Sequence, residues 1–131
     1  VTQRFHVGDS WERVVADGLT RTQIVMYAGA SGDFHPVHHD ELVAAEMGYP
    51  SIFAHGMLTM GLTGRLLTDV VGDEGLVRYG ARMVAQVWPG DVLTATLTVE
   101  SVRDGEVELS VRTANQDGVV VLAGSATARS H

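Results

Sequence analysis

The chain contains no cysteine. Disulfides, thiolate nucleophiles, zinc–thiolate sites and cysteine-bound iron–sulfur clusters are thereby excluded, and a cytoplasmic setting is the compatible expectation. It also contains no lysine, since all nine basic residues are arginine. Schiff-base chemistry on a lysine amine is ruled out. Positive charge is scarce: nine basic against sixteen acidic residues give a formal net charge of −7. That balance argues against a nucleic-acid partner, while local arginines could still hold an anionic small molecule. Long apolar runs are missing too. The best candidate, 57–71, is interrupted by Gly61, Gly64, Arg65 and Asp69, so no membrane partner is expected. No basic stretch followed by an apolar one stands at the start, and nothing suggests export. No Gly-x-Gly-x-x-Gly follows a strand pattern and no P-loop is present, which leaves nucleotide-cofactor chemistry without support.

What remains is a chain of 131 residues, 45% of them hydrophobic. That suits one domain over 1–131 with a core of its own. After a lead-in with a Gly8-Asp9 turn, 11–16 can form a short strand. Thr20-Arg21-Thr22-Gln23 reads as a capping box with Thr20 as N-cap. Ile24, Tyr27 and Ala28 continue it as a helical stripe that ends near 29–32. Asp40 reads as the next N-cap, of a short helix closed by Gly48. The strongest helix spans 56–71, apolar or small nearly all round and therefore buried. Its glycines each cost about 1 kcal/mol against alanine, which close approach to a sheet would explain. The second half changes period. Residues 77–88 read as one long bent strand. Leu93, Ala95, Leu97 and Val99 alternate with threonines, Asp104-Gly105 is a two-residue hairpin signal, and 119–128 closes the chain as a strand. Helices first and antiparallel strands after them predict an α+β domain, its curved sheet wrapped around the long helix.

The chemistry is concentrated at Ser31-Gly32-Asp33-Phe34-His35-Pro36-Val37-His38-His39-Asp40. This loop carries two carboxylates and three imidazoles between two helical patterns. Pro36 keeps His35 extended, so the chain must bend here. The bend can bring Asp33 and His38 into one small volume, where they could activate a water and return a proton. Taken alone, such residues are more often solvated caps. The second element is Ala54-His55-Gly56-Met57, which sets Gly56 at the N-terminus of the long helix. Backbone N–H groups are unpaired there and the helix dipole is positive, so a carbonyl oxygen gaining negative charge is welcome. Asp33, His35, His38 and His39 also offer enough donors for zinc or iron, although the spacing matches no strong ligand motif. His6 and His131 read as solvated, and Tyr79 and Trp88 as packing residues.

The stretch from Tyr27-Ala28-Gly29-Ala30 through Asp40, followed by Ala54-His55-Gly56-Met57-Leu58, resembles the hydratase motif of MaoC-like (R)-specific enoyl-CoA hydratases and (3R)-hydroxyacyl dehydratases. The resemblance covers nearly the whole chain, including Pro89-Gly90-Asp91-Val92-Leu93. It extends to the small subunits of actinobacterial hydroxyacyl-carrier-protein dehydratases and of steroid side-chain hydratases. It implies a hot-dog fold, and a dimer whose sheets join edge to edge with the active site near the subunit interface. It implies reversible hydration of a trans-2-enoyl thioester, with CoA or carrier protein as part of the substrate and no cofactor. By the same resemblance Asp33 and His38 are the catalytic pair and the Gly56 N–H holds the thioester carbonyl. Arg78 and Arg82 are candidates for the anionic end of CoA, solvated strand arginines being the competing reading. Two departures stand out. The family usually has Asn where this chain has His35, and some hydratases carry a polar residue at Gly64. A homodimer is expected and a heterodimer is the alternative. A partner subunit of a heteromeric hydratase, a hot-dog thioesterase and a metal-dependent enzyme are the competing functions.

Overall fold

The structure is a computed structural model that describes residues 4–130. In chain order it comprises β1 (Ser10–Asp17), α1 (Arg21–Ser31), a 3-10 turn (Pro36–His38), α2 (Glu41–Glu46), α3 (Gly56–Val71), β2 (Leu76–Met83), β3 (Val92–Arg103), β4 (Glu106–Ala114) and β5 (Val120–Arg129). The five strands form one antiparallel sheet in the order β1-β3-β4-β5-β2. This is the hot-dog α+β fold, with α3 as its central helix. Among the described residues no helix is long and apolar enough to cross a membrane. His131 lies outside the described residues, and His6 is exposed beside Asp9.

Period-two alternation places the core. Leu93, Ala95, Leu97 and Val99 of β3, and Val107, Leu109 and Val111 of β4, are all buried. Leu97 pairs with Trp11 on one side and Val111 on the other. Against this face α3 buries Thr59, Thr63, Leu66, Leu67 and Val71, touching β1, β2, β3 and β5. Two of those residues are polar. Thr63 resolves its own burial by sharing a hydrogen with Thr113 of β4, with the Oγ1 atoms 2.6 Å apart. The β3–β4 hairpin turns on Asp104 and Gly105, with φ of 53° and 78°, as a two-residue turn with both φ positive requires.

Two expectations are corrected. The strand read over 77–88 ends at Met83, where its ladder with β5 closes at Met83–Leu122; the Val84 and Ala85 N–H groups then both turn to the one Val121 carbonyl, and regular pairing stops. The chain then leaves the sheet, and Val87 O accepts from the Ala54 N–H at 2.8 Å. The glycines of α3 also differ from one another. Gly56 lies under the Met83 side chain and Gly64 under the Tyr79 ring, but Gly61 faces open space. Close approach accounts for the first two and not for Gly61.

Candidate active site

The capping box on α1 forms as read, with Thr20 and Gln23 each bonding the other's backbone N–H. The helix closes on Gly32 at φ 76°, a left-handed conformation that glycine adopts freely. That reversal delivers Asp33 to the start of the loop. The Asp33 Oδ1 accepts from the His35 N–H at 3.3 Å. His35 is extended, as a residue before proline should be, and Pro36 opens the 3-10 turn. The His35 Nδ1 accepts from the Val37 N–H at 3.2 Å, capping that turn. His38, in its last position, is carried into the protein and buried. His39 stays exposed and its Nε2–H donates to the Phe34 carbonyl. Asp40 caps α2 through the Leu42 and Val43 N–H groups.

The His38 ring is held by its partners. Its Nδ1 lies 2.7 Å from the Phe53 carbonyl oxygen. A carbonyl can only accept, so Nδ1 carries the hydrogen and the neutral ring keeps its lone pair on Nε2. Nε2 in turn stands 3.8 Å from the Asp33 Oδ2. Burial is the main cause that lowers the His38 pKa. The nearby His55 and His35 rings act in the same direction, while the Phe53 carbonyl and Asp33 oppose it. The result is a neutral imidazole and a carboxylate whose acceptor atoms face the same small space. A water or hydroxyl there can donate one hydrogen to each.

The third component is the start of α3. His55 is its N-cap but makes no side-chain capping bond. The His55 carbonyl takes the Leu58 and Thr59 N–H groups. The Gly56 and Met57 N–H groups have no partner among the described residues. These free donors add to the positive end of the helix dipole. A cavity of about 190 Å³ opens here, lined among others by Phe53, Gly56, Thr59, Met83 and Gln86. Phe53 also packs edge-on against His38, with ring centres 5.3 Å apart, so the cavity and the Asp33–His38 pair share a wall.

Asp33, His38 and Gly56 are therefore brought together. Arg78 and Arg82 are not part of this cluster. Tyr79 reaches α3 through its hydroxyl bond to the Met60 carbonyl, and Met83 covers Gly56. By strand alternation the two arginines point from the other face of β2, where Arg78 bonds Ser125. The residue that sequence reasoning passed over is His55. It is 3% exposed, stacks on His38 with ring centres 3.7 Å apart and donates from Nε2 to the Asp33 carbonyl at 3.0 Å. Its signal was an imidazole at an N-cap, where Ser, Thr, Asp or Asn is usual.

The metal set read from sequence does not assemble, because His35 and His39 are engaged by the loop backbone. Asp33, His38 and His55 do approach one another, with one donor atom each inside 4.8 Å. Imidazole lone pairs lie in the ring plane, however, and these two rings are stacked with a 23° tilt. Their lone pairs do not converge on one ion at the ~2.0–2.1 Å that zinc requires.

The structure is a hot-dog fold, a sheet wrapped on one helix, with a carboxylate–imidazole pair near that helix's free N–H groups. The chain matches the MaoC like domain over residues 4–120 and belongs to the MaoC-like dehydratase family. It is 36% identical over 114 residues to the enoyl-CoA hydratase ChsH3 of Mycobacterium tuberculosis, covering 84% of this chain and 38% of that protein. The chain thus spans well under half of that relative. The solved structure of the (R)-hydratase of Aeromonas caviae involved in PHA biosynthesis superposes with a TM-score of 0.88 at 25% identity, covering 98% of each chain. The ChsH1–ChsH2 complex of M. tuberculosis superposes with a TM-score of 0.81 at 27% identity, over 96% of this chain and 98% of that one. Relatives of this chain include subunits of two-component complexes.

Proposed function

We propose that the protein adds water reversibly across the double bond of trans-2-enoyl thioesters to give (3R)-hydroxyacyl thioesters. The observation that carries this reading is the pair of acceptors, Asp33 Oδ2 and His38 Nε2, 3.8 Å apart beside the free N–H groups at the start of α3. The thioester carbonyl accepts from the Gly56 N–H. Negative charge that develops on that oxygen is stabilised by a donor already in place and by the helix dipole. A water held between Asp33 and His38 gives up a proton to the pair as its oxygen bonds to C3. The same pair returns a proton to C2, so both new bonds form on one face of the double bond. In the reverse direction the 3-hydroxyl occupies the position of the water.

The protein acts as a dimer in this proposal, its sheets joined edge to edge, with β1 and β2 as the two edge strands of the fold. A homodimer is the first expectation and a heterodimer the second. Arg78 and Arg82, on the outer face of β2, remain candidates for the anionic end of the substrate.

The test is loss of the conjugated-thioester absorbance on incubation with crotonyl-CoA, and with longer and steroidal enoyl thioesters. Asp33→Asn and His38→Gln should each lower kcat by about 10²–10⁴-fold, the range for a positioned acid or base, while the melting temperature moves little. Wild-type rates in both variants refute the assignment. Release of free thiol without loss of the double bond points instead to a thioesterase.

A further inference from the structure

We infer that His55 is the positioning residue of this site, holding the His38 ring and the Asp33 backbone in register with the Gly56 N–H. The inference rests on the hydratase reading for its kinetic test and on geometry for the rest. One residue is joined to each part of the site, by its side chain to His38 and the Asp33 backbone and by its peptide to Gly56. Its ring stacks on His38 with centres 3.7 Å apart and a 23° tilt. Its Nε2–H donates to the Asp33 carbonyl at 3.0 Å, a bond between residues 22 positions apart. Its own peptide leads directly into Gly56. The Tyr27 ring packs against it as well, with ring centres 4.8 Å apart and planes at 61°.

A residue kept only to start a helix would not look like this. N-cap side chains ordinarily turn toward the helix and accept from its first N–H groups. The His55 side chain turns away from them, and the Gly56 and Met57 donors stay open to a ligand. Because Nε2 donates, the neutral ring keeps its lone pair on Nδ1, and that atom is buried without a partner among the described residues. An unpaired buried acceptor opposes folding, and such exceptions call for a functional explanation. Here the unpaired atom accompanies a ring whose face and whose other nitrogen are both engaged by the acid/base pair.

The groups facing His38 are Asp33 and His35 from its own loop and His55 from the start of α3. Burial is the main cause that keeps His38 neutral, and removing the His55 imidazole takes away one of the two rings that add to it. The His38 pKa should then rise, and the acidic limb of kcat/KM should move to higher pH.

Three variants separate the contacts in the full chain. His55→Phe keeps a ring over His38 and loses the bond to Asp33. His55→Gln keeps a donor and loses the ring. His55→Asp supplies an ordinary cap that takes up the open N–H groups. Steady-state hydration of crotonyl-CoA across pH, thermal melting and NMR titration of the His38 imidazole are measured for each. All three should fold, with kcat lowered about 10–100-fold by misplacement of the reacting groups. KM should change less than kcat in His55→Phe and His55→Gln, and the His38 titration should move upward in both. His55→Asp should lose activity although its new cap takes up the open N–H groups. Folded variants with wild-type kcat and an unmoved His38 titration would overturn the inference. If the wild-type protein hydrates no enoyl thioester, the hydratase reading fails, and the titration alone decides the role of His55.

Discussion

Placing a methyl group on Gly56 probes the most crowded point at the mouth of the cavity. A Cβ there would sit 2.7 Å from the Met83 Cγ and 3.2 Å from its Sδ, closer than carbon atoms tolerate. Alanine favours a helix interior by up to about 1 kcal/mol over glycine, and less at the first helical position. Overpacking costs about 1–3 kcal/mol. Met83 is flexible and 43% exposed, so it can swing aside and the cost falls at the low end. Gly56→Ala should therefore destabilise by about 1 kcal/mol, roughly 3–5 °C in a domain of this size. The displaced methionine should intrude on the cavity and raise KM for the enoyl thioester. Met83→Ala removes Cγ, Sδ and Cε, and in that background Gly56→Ala should be close to neutral. A double-mutant cycle by urea unfolding should then show a coupling of about 1 kcal/mol or more, with KM relaxing in the double variant. Additivity within about 0.5 kcal/mol, the level expected of independent sites, would refute the proposed contact and its control of the mouth.

Other predictions follow from single residues. Because the His38 pKa is lowered from its ordinary 6.5, the base form persists below that value, and kcat/KM should hold to a more acidic pH than a free imidazole would allow. The same shift makes the unfolded chain bind the extra proton first between the folded pKa and 6.5. Through that window the His38 contribution to stability should rise with pH, and above it level off; a urea-midpoint series over pH checks the sign. His35→Asn should leave folding and activity near wild type, since the amide oxygen can take the Val37 N–H that the His35 Nδ1 now accepts. His35→Ala should cost about 1 kcal/mol by loss of that cap, read by thermal melting. Thr63→Val should destabilise by about 1–3 kcal/mol, because it leaves the buried Thr113 hydroxyl unpaired. Thr63→Val with Thr113→Val should recover most of that loss.

Features with local causes were legible in the sequence. Thr20 and Gln23 define a cap within four residues, and the alternation of β3 and β4 needs only a buried face. Gly56–Val71 forms one helix as read, although an exposed stripe at Met57, Gly61, Arg65 and Asp69 leaves it buried on one side and not nearly all round. Asp33 and His38 could be paired because Pro36 forces a bend between them. The end of β2 was not legible, since it depends on where pairing with β5, some forty positions later in the chain, loses its regular register. Gly61 was misread because close packing and open space leave the same glycine in a sequence. The role of Arg78 and Arg82 turned on which face of a strand each occupies relative to Tyr79 and Met83. His55 escaped notice because its partners, Asp33 and His38, approach it only when the loop folds back on the helix.

One wall of the cavity carries polar groups of the site, and the wall facing it comes from a separate stretch of chain. Phe53, Ala54, His55 and Gly56 run consecutively, and they respectively orient the His38 ring, tie to Val87, stack on that ring and expose a free donor. The facing wall comes instead from Met83 to Val87 and Val121. Substitutions in that wall can reshape what the pocket admits without touching the groups that carry the proton. On the proposed hydratase reading, the choice of acyl group is then free to drift, or to be redirected by mutagenesis, while the reaction itself stays the same.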